Sequence, residues 1–64
     1  MALYRIPEYG MLSVLSHIPT YGLNVIQLTS ETVNDEFVYT LEINGEIPNE
    51  ELPHLIEGCG LEVL

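Results

Sequence analysis

Apolar and polar positions alternate most regularly between Glu36 and Asn44. Phe37, Tyr39, Leu41 and Ile43 fall on one face of an extended chain, and Val38, Thr40, Glu42 and Asn44 on the other. This period of two, rich in aromatic and β-branched residues, predicts a half-buried strand. Ala2–Ile6 reads as a shorter strand with Ala2, Tyr4 and Ile6 on one face, stopped by Pro7. Glu8-Tyr9-Gly10 is expected to turn the chain. From Met11 to Ile18 the apolar positions are 11, 12, 14, 15 and 18, a helical spacing that Pro19 ends at or before Ile18. The other face of that helix, Ser13, Ser16 and His17, carries no acid or strong base.

A second strand is expected over Leu23–Ser30, where the alternation is weaker and leaves the register undefined. Asn34-Asp35 suits a hairpin turn, because both residue types tolerate the left-handed conformation. Asn44-Gly45 closes the central strand. Asn49 is placed to cap a second helix, with Glu50 and Glu51 against the positive end of its dipole. Leu52, Leu55, Ile56 and Cys59 repeat at helical spacing, Pro53 disturbs the first turn, and Gly58 and Gly60 end the helix. Leu61–Leu64 completes the pattern as a strand with Leu61 and Val63 facing in. The order strand, helix, strand, strand, helix, strand predicts a single α+β domain of the ferredoxin-like βαββαβ kind. It has a four-stranded antiparallel sheet, its first and third strands central, and both helices on one face. The other sheet face is left open, a route to a homodimer.

Charge sharpens the picture. The chain has 64 residues and a net charge of −9, from ten acids against one base, Arg5. Residues 1–30 sum to zero, so the whole excess lies in residues 31–64, which contain no Lys or Arg. Direct binding to nucleic acid or to an anionic membrane needs clustered basic residues and is not expected. A basic protein surface is the partner such a field attracts. The bland alternative is a surface acidic only for solubility, though solubilising surfaces usually mix both signs. The single Cys59 excludes an internal disulfide, and the amino-terminal stretch lacks the apolar core of a secretory signal, so a cytoplasmic protein is expected.

Gly10-Met11-Leu12-Ser13-Val14-Leu15 followed by Tyr21-Gly22-Leu23-Asn24-Val25 resembles the ACT domain family. Members share this topology, with a Pro-Gly-x-Leu turn before the first helix and a Gly-Ile-Asn-Ile-like start to the second strand. Tyr9 stands here where the family has proline. The resemblance implies dimerisation and sensing of a small molecule, often an amino acid, with Glu8, Tyr9, Gly10 and Asn24 near the ligand.

No enzymatic constellation is expected. His17, His54 and Cys59 lack structural-zinc spacing, the Ser13–His17 stretch is no nucleophile–base signature, and Glu50 and Glu51 point to different sides of a helix. No metal or cofactor is implied. Two readings follow. In the first, Glu31, Asp35, Glu36, Glu46, Glu50, Glu51, Glu57 and Glu62 form an acidic face that engages a basic protein. Its most specific form is a DNA mimic inhibiting a DNA-binding protein, a strategy typical of small phage-encoded proteins, which would act in the host cytoplasm. In the second, the chain is a stand-alone ACT-like sensor.

Overall fold

The computed structural model describes all 64 residues. Its elements are β1 (Ala2–Pro7), α1 (Glu8–His17), a 3-10 turn (Ile18–Tyr21), β2 (Val25–Val33), β3 (Glu36–Ile43), α2 (Leu52–Cys59) and β4 (Glu62–Val63). The strands form one antiparallel sheet in the order β2-β3-β1-β4. This is the expected α+β, ferredoxin-like arrangement with β1 and β3 in the centre.

The core follows from the register of β1 on β3, which sets Tyr4 opposite Leu41 and Ala2 opposite Ile43. Tyr4, Ile6, Leu41 and Ile43 point the same way and are buried with Val14 and Ile18, with Leu55 and Cys59 of α2, and with Ile47 and Leu61. One polar atom enters this core and is satisfied there: the backbone N–H of Ile47 donates to the Tyr4 hydroxyl at 3.0 Å. That bond ties the long β3–α2 connection to the sheet.

Several local expectations are corrected. Glu8-Tyr9-Gly10 is the first turn of α1, because Pro7, extended at ψ 160°, serves as its N-cap and Glu8 suits the positive helix end. The α-helix stops at His17, ahead of Pro19 as the sequence indicates, and the chain continues as a 3-10 turn. Asn49 does not cap α2. Glu51 and Leu52 instead donate to the Pro48 carbonyl at 2.9 and 3.2 Å, and the helix begins with Glu51 as N-cap and Pro53 in its first turn, where no N–H is needed. Gly60, left-handed at φ 72°, closes α2, with Leu61 N–H returning to the Leu55 carbonyl at 3.2 Å.

β2 runs three residues further than expected, and Asn34 and Asp35 turn the hairpin at φ 53° and 66°. A β-bulge between Val25 and Gln27 explains the weak alternation at its start. Phe37 has the expected parity but is 52% exposed, as is Val63, because the helical layer covers β1 and the end of β3 and not the hairpin or the sheet edge. All nine residues of β2 are exposed.

Gly10 sits where α1 meets α2. A Cβ there would overlap the Cys59 carbonyl and approach its Cβ to 2.8 Å. Ala is the better helix former by about 1 kcal/mol, yet Gly10→Ala must push the helices apart at a cost of roughly 1–3 kcal/mol. With roughly 4–8 °C per kcal/mol for a domain of this size, a clear drop in melting temperature is expected. Calorimetry showing a gain would contradict this packing role.

Candidate functional site

None of the ten carboxylates is buried. The fold sorts them by where each leaves the sheet. β1 ends at Pro7 beside Val38, next to the hairpin tip. Glu8, at the start of α1, therefore meets Asp35 and Glu36, and the three line a cleft of about 520 Å³ with Pro7, Tyr9 and Phe37. Both rings are open to solvent, Tyr9 at 77% and Phe37 at 52%. The Tyr9 hydroxyl lies over Gly60, where any side chain would displace it.

At the other end of β3 the chain enters the Asn44–Glu51 connection, which carries Glu46, Glu50 and Glu51. Glu57 lies near the opposite end of α2, whose Cys59–Gly60 terminus packs against Gly10 and Tyr9. The eight residues of β3 span roughly 26 Å, at ~3.3 Å per residue, between the hairpin and the start of the Asn44–Glu51 connection. Glu31, Glu42 and Glu62 occupy the open sheet face with Gln27, Thr29, Thr40 and Arg5, as the strand register requires. By the same register Glu36 also belongs to this face, opposite Val33 and diagonal to Glu31. The hairpin acids therefore adjoin the open-face acids, while Glu46, Glu50 and Glu51 stand apart at the far end. Arg5, the one basic residue, reaches Glu62 at 3.9 Å with both side chains exposed, a contact worth little in water. Leu3, Val33 and Val38 share the open face, so it mixes apolar side chains with a majority of hydroxyl, amide and carboxylate groups.

Glu8 and Tyr9 share the cleft, but the other two residues implied by the ACT-like resemblance do not. Gly10 is buried against α2. Asn24 lies at the opposite end of the sheet, where its N–H donates to Asn44 Oδ1 at 2.9 Å and its carbonyl accepts from Asn44 N–H at 3.1 Å. His17 and Ser16 both turn back onto the Ser13 carbonyl, at 2.6 and 2.8 Å, and Cys59 is buried. No three His, Cys, Asp or Glu side chains converge as a metal-binding set, and no helix is long and apolar enough to cross a membrane.

The meeting of Glu8 with Asp35, Glu36 and Phe37 escaped the sequence reading. Its signal was the β1–β3 register: once Pro7 is placed beside Val38, Glu8 must lie near the hairpin. Comparison with protein families, with curated protein sequences and with solved structures returns no match.

One group titrates away from its ordinary value. Partial burial in the 3-10 turn, and then the negative charges of Glu51 and Cys59, raise the Tyr21 phenol above 10.0. The folded chain holds this proton more tightly than the unfolded chain, so its contribution is fully present below pH 10 and is lost as pH rises through the folded value. Denaturant midpoints should fall above pH 10 in the wild type and fall less in Tyr21→Phe. Equal slopes in both proteins would contradict the assignment.

Proposed function

We propose that this protein is a non-enzymatic binding protein whose carboxylates engage a basic protein surface, in the manner of a DNA mimic that occupies a DNA-binding groove. The observation that carries the reading is a solvent-facing set of ten acids with one cation, Arg5, to offset it. Density supports it as well. The longest dimension of the molecule is 33 Å, a length over which one duplex strand carries about ten phosphates at one per ~3.4 Å. The cleft beside the hairpin supplies the anchor. Arginine both pairs with carboxylates and stacks on aromatic rings, and Glu8, Asp35 and Glu36 lie there with exposed Tyr9 and Phe37.

The test is capture of purified DNA-binding proteins on the immobilised chain. Capture should be strong at low salt, lost at high salt, and reversed by duplex DNA. Neutralising Glu8, Asp35 and Glu36 together to Gln, Asn and Gln should weaken it at least ~10-fold, or ~1.4 kcal/mol. The same treatment of Glu50, Glu51 and Glu57 reports whether the α2 patch contributes. Binding indifferent to salt and to DNA would contradict the proposal.

The same cleft favours a second reading, a small-molecule sensor. Three carboxylates select a cationic ligand, such as arginine or a polyamine, over a free carboxylate. Such a ligand should raise the melting temperature of the wild type and not of Tyr9→Ala. The absence of any shift across basic amino acids and polyamines would remove this reading.

A further inference from the structure

β2 is the long edge of the sheet, and only an irregularity at its start interrupts it. It pairs with β3 on one side only, and all nine of its residues are exposed. Among them Val25, Ile26, Leu28 and Val33 are large apolar residues at 38–48% exposure. The strand contains no Pro, Lys or Arg and a single acid, Glu31. Edge strands of monomers are usually kept short, charged or interrupted by proline, because their free N–H and C=O groups pair with any extended chain. The opposite edge, β4, is only two residues long. Here the bulge between Val25 and Gln27 is the one such device, and it leaves Leu28–Val33 regular.

We infer that β2 pairs with β2 of a second copy, antiparallel about a two-fold axis at Thr29, to form a continuous eight-stranded sheet. The hydrogen-bonding pattern supports this register. Asn34-Asp35 is a two-residue turn, which makes Val33 and Glu36 a mutually bonded pair. By alternation, Leu28, Ser30 and Thr32 then present their N–H and C=O groups outward. With Thr29 on the axis, which is the midpoint of Val25–Val33, Leu28 meets Ser30 of the second copy and both exchange hydrogen bonds.

Charge selects the same arrangement. Glu31 falls opposite Gln27 and not opposite another acid. The Asp35–Glu36 tip of each copy lies alongside the uncharged Ile18–Asn24 segment of the other, so the acidic ends are kept apart. Core size adds a motive, since ten buried apolar residues are few for an independent domain. Pairing at this edge does not engage Glu8, Tyr9 or α2 in either copy, and it stands independently of the proposed function.

The experiment is sedimentation velocity on the full chain at low and high salt. Twice the 7.2 kDa chain mass is expected, with a dimer fraction that rises with salt, because two copies of charge −9 repel. That dependence is opposite to the one expected for a basic partner. Ser30→Pro removes an outward N–H without touching the β2–β3 ladder and should give a folded monomer. Leu28→Lys, which leaves the backbone unchanged, should also give a monomer if the proline variant fails to fold. Thr29→Cys, facing its own copy across the axis, should oxidise to a covalent dimer, whereas Val63→Cys on the other edge should not. A wild-type monomer at all salt concentrations would overturn the inference. So would a dimer insensitive to Leu28→Lys, or one that Thr29→Cys fails to cross-link.

Discussion

The pairing of β1 with β3 is the contact on which the rest of the molecule depends. It places Tyr4, Ile6, Leu41 and Ile43 on one surface, and each remaining core residue packs on that surface or on a neighbour that does. α1 is held at Val14 and Ile18, α2 at Leu55 and Cys59, and the β3–α2 connection at Ile47, through the Tyr4 hydroxyl. The two helices then close on each other so tightly at Gly10 that no side chain fits between them. Loss of the central register would turn these four residues to the open face and leave both helices without a floor.

A core this small also dictates the surface. With ten apolar residues buried and one arginine in the chain, there is no interior site where a carboxylate finds a compensating partner. All ten acids therefore face water, and their grouping is set by where the strands end. Glu8, Asp35 and Glu36 come together because β1 leaves the sheet beside the hairpin, while Glu46, Glu50 and Glu51 collect at the far end where β3 leaves it. The hairpin group differs from the others in having two exposed aromatic rings beside it. That combination of charge and ring face suits the basic side chains of the proposed partner.

Much of this was legible in the sequence. The alternation at Glu36–Asn44, the stop at Pro7, the break at Pro19 and the Asn34-Asp35 turn each carry a local physical signal, and together they define the topology. What escaped has a tertiary cause. Gly10 looks like a turn residue by composition, and its place inside α1 follows from the approach of Cys59, about fifty residues later. Asn49 is a good cap by residue type, but Pro48 starts a turn that delays the helix to Leu52. Phe37 and Val63 have inward parity but lie past the reach of α1 and α2, and parity does not reveal the extent of a covering layer. The acidic residues were readable as a set, whereas their division into patches required the strand register.

The most direct test of the account is a nuclear magnetic resonance titration of the isotope-labelled protein with a short arginine-rich peptide at low salt. The account predicts shifts concentrated at Glu8–Tyr9 and Asp35–Phe37, with weaker ones along Glu46–Glu57, and reversal of all of them on adding salt. Shifts spread evenly over every acidic segment, or none at all, would reduce the carboxylates to a solubilising coat and contradict the claim that this surface recognises a basic partner.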